Sequence, residues 1–407
     1  MDYSALLDLS VDMGCGLLES GAEIYRAEDS LRRLLAAYGL PDAEVFAIPN
    51  CLIASITTPQ GEPLTRVRRV LDHGTDLWRL EQYNSLCRAL CRDTPSPEQA
   101  RAMMEGIEAS RRDYPSAVRF FGYFLGAAAF CLFFGGTWRD AVCSGVCGLA
   151  IALMLTALTR VESGGFFRTL ACAGVSAVAA LTFVRLGLGE NLDAITIGAF
   201  MALTPGVALT NSMREFMAGD MVSGVSRLTE ALLTATAIAL STGVVLAVGD
   251  ASLEVGGAMA AGYVLPCASA FFACLGFCFL FQVRGAGLLI CSTGGALGWL
   301  VYLLSAPLVG SDLIQAFLAA VVIAVFSEAM ARVRRCPVTV YLLIALYPLV
   351  PGRGIYLTML YCIQGETLQF LSSLLHTLGF AGCLAVGAML VSAVVRMYRS
   401  LAASRGG

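Results

Sequence analysis

Two Pro-Gly pairs interrupt apolar stretches of this sequence, and each is followed by polar side chains. Pro205-Gly206 breaks the first stretch, and Pro351-Gly352 repeats the pattern 146 residues later. A proline lacks the backbone N–H and clashes with the preceding turn, so each break frees a carbonyl. Hydrocarbon cannot satisfy that carbonyl, so such breaks occur inside protein or beside a polar cavity. Ordinary proline kinks are the alternative, but paired breaks followed by charge favour the substrate site of a transporter.

The polar residues around the breaks suit two kinds of chemistry. The first kind can hydrogen-bond or charge-pair with a small solute: Thr204, Thr210, Asn211 and Arg353, next to Pro205, Gly206, Pro351 and Gly352. The second kind is carboxylates, whose pKa burial and neighbouring charges can shift toward the working pH: Glu215, Asp220, Glu230 and Glu366. We interpret the second kind as candidates for proton coupling.

Structural alternatives exist for several of these charged residues. Glu230 follows Arg227 by three residues and can form an ion pair on one helix face. Asp220 can cap the next helix. Arg353 can lie at the outer membrane interface. His376, which the repeat places opposite Glu230, is of a residue type that titrates near neutral pH, but we interpret it as a packing residue.

The composition identifies the kind of protein that must position these groups. Hydrophobic residues make up 57% of the chain and charged residues 14%, against roughly 25% charged in soluble domains. We therefore predict an integral membrane protein. A net charge of −3 argues against a nucleic-acid partner. Pairs of cysteines four residues apart favour packing over metal binding, and we predict no metal and no cofactor.

Ten apolar segments follow residue 116, each near the roughly 20 residues that a bilayer requires. They are 117–135, 139–158, 168–188, 194–213, 228–249, 257–282, 285–305, 312–331, 337–360 and 371–395. Arginines concentrate on one side of the resulting topology, which places both termini in the cytoplasm. Since each half has an odd number of segments, the second half enters the membrane inverted. We predict an α-helical membrane protein of two five-helix inverted repeats, 116–250 and 251–407.

Residues 1–115 contain no apolar segment of that length, and their pattern predicts a small α+β cytoplasmic domain. Amphipathic helices are expected over 1–20, 22–38, 74–91 and 97–112. Strands are expected over 44–48, 51–57 and 63–70, with a turn at 59–61. The domain carries no recognisable catalytic or phosphate-binding motif. The GxxxG patterns at Gly122/Gly126 and Gly294/Gly298 allow close helix contact within a chain or in a homo-oligomer.

Several motifs resemble the threonine/serine exporter family. They are GLLESGAEIYRAEDSLRRLLAAYG (16–39), FAIPNCLIASI (46–56), TPGVALTNSMREFMAGDMVSGVSRLTEALL (204–233) and ARVRRCPVTVYLLIALYPLVPG (331–352). The resemblance covers nearly the whole chain. It implies a proton-coupled antiporter of the plasma (inner) membrane that exports small amino acids and is not an enzyme. Some relatives export small dicarboxylates such as succinate, so that substrate stays open.

An amino acid is a zwitterion, and the breaks offer groups for both of its ends. Helix N-termini beyond Gly206 and Gly352 suit its carboxylate, and carbonyls freed near Met201 and Tyr347 suit its ammonium. Thr204, Thr210 and Asn211 can bind a side-chain hydroxyl. A membrane-anchored sensor is an alternative from another class. An intramembrane enzyme is disfavoured, because the chain has two histidines and no HExxH or GxSxG motif.

Overall fold

The structure is a computed structural model that describes residues 1–70, 74–159, 164–251 and 262–405, with side chains to 398. His73, one of the two histidines of the sequence, and part of the predicted sixth segment lie outside these ranges. The chain forms two compact units. The first comprises Met1–Tyr114 with Phe281–Arg284 and Ala331–Val340. The second comprises the remainder and so contains both predicted membrane halves.

The first unit is an α+β domain, as the sequence pattern predicts. Its elements are α1 Tyr3–Glu19, α2 Ile24–Ala37, β1 Glu44–Ile48, β2 Cys51–Thr57, β3 Pro63–Arg69, α3 Leu77–Asp93 and α4 Pro97–Ser110. The strands form an antiparallel sheet in the order β1-β2-β3. Alternate residues of β2 are buried because side chains of a strand point to opposite faces. Gly61 has a positive φ of 85° in the turn before β3.

The helices of this unit bury apolar side chains, and ion pairs join three of them, α1, α3 and α4, to the sheet or to one another. Leu6, Leu9 and Met13 of α1 are fully buried. On the same helix, Asp8 contacts Arg66 of β3 at 2.7 Å, measured from carboxylate oxygen to guanidinium nitrogen. A capping box with Ser96 and Gln99 begins α4. Every helix and strand of this domain agrees with the apolar periods of the sequence.

The second unit is helical. Its elements are α5 Ser116–Phe133, α6 Trp138–Leu158, α7 Gly165–Arg185, α8 Leu192–Phe200, α9 Gly206–Ala218, α10 Met221–Val248, α11 Val264–Leu280, α12 Gly287–Ser305, α13 Asp312–Arg334, α14 Val338–Leu346, a 3-10 turn Tyr347–Leu349, α15 Gly352–Gln364 and α16 Thr367–Arg405. Each predicted apolar segment coincides with one helix or with one broken pair. The ends of α13 and α14 also contribute to the first unit.

Fewer helices than predicted are long and apolar enough to span a bilayer alone. Within the described ranges, seven reach that length, and an eighth is obtained if α14 and α15, bent by 52°, count as one span. The pair α8 and α9 is not one of these spans, and α11 is shorter, at 17 residues. A multi-pass membrane protein is therefore shown. The ten spans and the inverted orientation of the halves stay predictions.

The last three helices of each half have matching bounds. Helices α8 and α14 have nine residues each, and α9 and α15 have 13 each. Their first residues, and those of α10 and α16, are all offset by 146 in the sequence. The repeat that we inferred from two Pro-Gly pairs thus extends to whole helices.

Equivalent helices of the two halves pack in a crossed manner. Helix α9 contacts α16 while α10 contacts α15, and α5 contacts its own equivalent, α11. Contacts of this reciprocal kind are typical of a two-fold relation between repeats. One buried cluster contains residues at equivalent positions of the two halves: Leu209 and Ile355, and Ala235 and Ala381.

The contact of α5 with α11 requires glycine on both helices. A Cβ on Gly276 would lie 2.6 Å from the backbone nitrogen of Gly126, so any side chain would push the helices apart. The glycine pattern at Gly122 and Gly126 therefore serves packing within the chain. A homo-oligomer stays a prediction.

Candidate functional site

The two Pro-Gly breaks contact each other. A Cβ on Gly206 would collide with the Val350 side chain, and a Cβ on Gly352 would lie 2.7 Å from Thr204 Oγ1. Thr204 and Val350 occupy equivalent positions of the two halves, so these contacts are also reciprocal. The two breaks therefore meet in reciprocal contacts, and the glycines permit the close approach.

The carbonyls freed by the breaks are already hydrogen-bonded. Met201 O accepts the Tyr347 hydroxyl at 3.0 Å and Thr204 Oγ1 at 3.2 Å. Tyr347 O accepts the backbone N–H of Val350 at 3.2 Å. The expectation that these carbonyls await a substrate ammonium is wrong, because a buried carbonyl is more stable with an internal donor. The Tyr347 hydroxyl instead ties one break to the other.

Side chains after the first break are largely used within the protein. Thr210 is buried and donates its hydroxyl to Gly206 O at 3.1 Å. Asn211 is half-buried on the same helix. Glu215 is buried and pairs with Arg227 of α10, with 2.7 Å between Oε1 and Nε. The alternative that Arg227 pairs with Glu230 is therefore wrong, since Glu215 reaches it from the neighbouring helix.

The remaining predicted carboxylates lie near helix ends or on the surface. Asp220 occupies the N-cap position of α10, but its side chain makes no capping hydrogen bond. Glu230 and Glu366 are exposed on the protein surface. Whether any of them carries protons stays a prediction.

A cavity of about 180 Å³ lies beside the second break. It is lined by residues of α5, α12, α13, α15 and α16 and of the 3-10 turn. Of the predicted site residues, Pro351 and Arg353 line it, whereas those of the first break do not. A dry cavity of about 150 Å³ holds benzene, so the volume suits a solute of slightly larger size.

Aromatic rings form one wall of the cavity. Phe133 and Trp299 have ring centroids 4.4 Å apart, and Trp299 stacks on Tyr302 at 4.7 Å. The Arg353 guanidinium carbon lies 5.9 Å from the Phe134 ring centroid, within cation–π range. This wall holds the arginine head group beside the cavity.

Polar groups of three other helices complete the lining. His376 Nε2 of α16 lies 2.6 Å from Asp312 Oδ2 of α13. Trp299 Nε1 and Thr377 Oγ1 are buried and have no hydrogen-bond partner within the described part of the chain. Buried polar groups are normally paired, so these two atoms are exceptions next to the cavity. The residues that line the cavity include a cation, Arg353, and a carboxylate, Asp312.

Sequence reasoning missed two acidic residues near Arg353. Asp312 begins α13, and Asp193, which is buried, lies in the first turn of α8. Asp193 interacts electrostatically with Arg353. Both lie at the margin of a predicted span, where a carboxylate is usually a helix-terminal charge. Asp312 is the first residue of a predicted apolar segment and Asp193 immediately precedes another, and this position is the signal that could have found them.

His376 also differs from its sequence interpretation. We predicted a packing residue, but its imidazole faces the cavity and pairs with Asp312. Its equivalent in the first half, Glu230, has no such environment. The correct partner could not be read from the sequence because 64 residues separate the two.

Two family models cover nearly the whole chain. Residues 8–249 match ThrE, described as "Putative threonine/serine exporter", and residues 253–394 match ThrE_2, described as "Threonine/Serine exporter, ThrE". The chain belongs to the threonine/serine exporter family. Membership confirms the resemblance inferred from the motifs. The family consists of transporters rather than enzymes, and membership implies a small-molecule substrate and a membrane context.

Curated members of the exporter family are similar at low identity. The "Threonine/serine exporter" of Corynebacterium glutamicum is 20% identical over 423 residues, which cover 97% of this chain and 83% of that protein. The "Probable threonine/serine exporter" of Mycobacterium tuberculosis is 24% identical over 57% of this chain.

Some relatives are considerably longer than this chain. The match spans 44% of the Mycobacterium tuberculosis protein. The "Pheromone-regulated membrane protein 10" of the yeast Zygosaccharomyces rouxii is 25% identical over 54% of this chain but only 22% of its own length. No solved structure matches.

Proposed function

We propose that this protein exports threonine, serine and similar small amino acids across the plasma membrane, driven by an inward flow of protons. The observation that carries the proposal is the cavity beside the second break. It presents Arg353 to a carboxylate and Asp312 to an ammonium, which are the two charged ends of an amino acid.

The residues of the first break then have a positioning role. The hydroxyls of Thr204 and Thr210 bond to backbone carbonyls, and Gly206 contacts the second break directly. We infer that Pro205, Gly206, Pro351 and Gly352 form a crossing about which the two halves rock, and that Asn211 lines a path opened by this motion. Alternating access by two repeats around a central site is the mechanism of many secondary transporters.

The predicted topology gives the side of the membrane to which the cavity opens. With both termini cytoplasmic, the turns that precede α13 and α16 lie at the outer side. The cavity, which contains Asp312 and His376 near the beginnings of these helices, then opens outward in this conformation. The asymmetric arginine distribution supports this orientation.

Export of a small dicarboxylate is the alternative substrate class. Binding of two carboxylates requires two cations. Arg214, which lies on α9 after the first break, is the arginine that could provide the second one. The described residues that line the cavity include Arg353 but not Arg214. A single arginine opposite a carboxylate supports a zwitterion over a dianion.

Counterflow tests the proposal. The purified full chain is reconstituted into liposomes loaded with unlabelled threonine, and labelled threonine, serine or succinate is added outside. We expect accumulation of labelled threonine and serine, and none of succinate. Protein-free liposomes are the control. A parallel set of liposomes loaded with unlabelled succinate is tested in the same way. Accumulation of labelled succinate in that set, without accumulation of threonine in the first, would reject the amino-acid assignment.

A further inference from the structure

A histidine and an aspartate share the wall of the proposed substrate cavity. Their contact of 2.6 Å joins α13 to α16, and their side chains are 43% and 53% exposed, for Asp312 and His376 respectively. Both line the cavity together with Arg353. A proton bound by this pair would therefore lie within the same small space as a bound amino acid.

Few other ionisable groups face the pair from the surrounding helices. Tyr302 of α12 and Cys383 of α16 interact electrostatically with Asp312. Helix α15 contributes Arg353 to the cavity, and α5 contributes aromatic rings. Histidine is the residue type that changes its charge between pH 5 and 8. The pair thus places an imidazole, which can bind a proton, in contact with a carboxylate.

We propose that the His376–Asp312 pair is the proton-binding site of the transport cycle, and that the proton and the substrate ammonium compete for the Asp312 carboxylate. This inference rests on the proposed function, and it places coupling on a pair outside the four carboxylates considered from the sequence. Those four carboxylates do not line the cavity. A substrate bound in the cavity would therefore not contact them and could not displace a proton from them directly.

The exchange is balanced as follows. Without substrate, protonated His376 donates its Nε2–H to Asp312. An entering amino acid places its carboxylate on Arg353 and its ammonium on Asp312. The imidazolium then loses its partner, the Nε2–H bond breaks, and the proton passes to water on the side to which the cavity is open. One proton leaves for each zwitterion bound, and no other bond changes.

This exchange produces antiport. Substrate binding from the cytoplasm releases the proton into the cytoplasm, and substrate release outside allows a proton to bind from outside. The protonated site carries one more positive charge than the substrate-loaded site, because the amino acid is neutral. Each cycle therefore moves one positive charge inward, so both the pH gradient and the membrane potential drive export.

The test separates exchange from coupling in liposomes that contain the full chain. His376→Gln keeps a polar amide near Asp312 but cannot titrate. Threonine counterflow at equal pH needs no net proton movement, so it should fall less than gradient-driven accumulation does. Accumulation driven by a pH gradient should fall about 10-fold or more, in the range of typical coupling between two ligands.

A matched control uses another exposed acid–base contact. Arg139 and Glu190 lie 3.8 Å apart, and neither lines this cavity. Glu190→Gln should preserve both counterflow and gradient-driven accumulation. Gradient-driven accumulation by His376→Gln at the native level would overturn the inference. Equal loss of counterflow and accumulation in folded His376→Gln would also overturn it, since His376 would then serve substrate binding.

A measurement on the native protein does not depend on any variant folding. Threonine added to the solubilised protein in weak buffer should release protons, up to one per bound molecule. Binding without proton release would overturn the inference while leaving the proposed transport of threonine intact. Absence of threonine binding and counterflow would instead reject the proposed function itself.

Discussion

Around the first break, charged side chains pair between two neighbouring helices, whereas around the second they line a cavity. Glu215 and Arg227 form the buried pair of the first half. In the second half, Arg353 takes the position equivalent to Val207, and His376 takes that of Glu230. The helices before and after the break are nevertheless of equal length in the two regions. One repeat thus keeps an ion pair, while the other carries the groups that we propose to bind a ligand.

The largest expected effect breaks the ion pair of the first half. Glu215→Gln leaves Arg227 without its carboxylate partner, and loss of one member of a buried pair costs about 3 to 5 kcal/mol. We expect a strongly lowered thermal midpoint, measured by unfolding in detergent. Transport by the folded fraction should keep its native pH dependence. A flat pH profile would instead assign proton coupling to Glu215.

The second effect concerns ligand binding at the second break. Arg353→Gln removes a charged partner of the substrate carboxylate, worth about 2 to 3 kcal/mol or roughly 30- to 150-fold in affinity. Threonine binding measured by calorimetry reports this loss. Arg214→Gln, near the first break, is the comparison and should have a smaller effect on affinity because Arg214 does not line the cavity. Equal losses would favour a site that both arginines share.

A third prediction tests the crossing itself. Gly206→Ala places a methyl group against the Val350 side chain, and overpacking of this kind costs about 1 to 3 kcal/mol. The double variant with Val350→Ala removes the colliding methyl and should restore part of the stability and of threonine exchange. If the single variant matched the native protein in both respects, the breaks would not be in close contact.

The smallest effect should be equal in the two halves. Gly219 and Gly365 end α9 and α15 with positive φ values of 94° and 76°. Alanine at either position forces a side chain into the left-handed region at a cost of about 1 kcal/mol. Both substitutions should lower the free energy of unfolding similarly and leave threonine exchange per folded molecule unchanged. A marked inequality would show that the repeat differs at the backbone level.

Local patterns predicted most elements because their causes are local. The strands Glu44–Ile48 and Cys51–Thr57 agree with the alternation of apolar residues, and each apolar segment coincides with a helix or a broken pair. The breaks followed from the proline ring and the missing N–H. The sequence did not predict how many single helices are long enough to span a bilayer. The breaks leave α8, α9, α14 and α15 each shorter than a bilayer requires.

The site was predicted less completely than the fold. The sequence identified Arg353 and the Pro-Gly pairs, but it assigned the Met201 carbonyl to substrate, and the Tyr347 hydroxyl occupies it. It identified His376 without its partner. Partners such as these are separated by 146 and 64 residues, and no helical or strand period extends over that distance.

The sequence alone determined that this is a membrane protein of the exporter family with a small α+β domain and two broken apolar segments. These properties depend on composition, short-range periodicity and backbone chemistry, all of which act within a few residues. Only the tertiary structure decided that the breaks cross, that their carbonyls are satisfied, and that His376, Asp312 and Arg353 share one cavity. Side chains from distant helices meet through packing, and packing depends on the shapes of all the helices together.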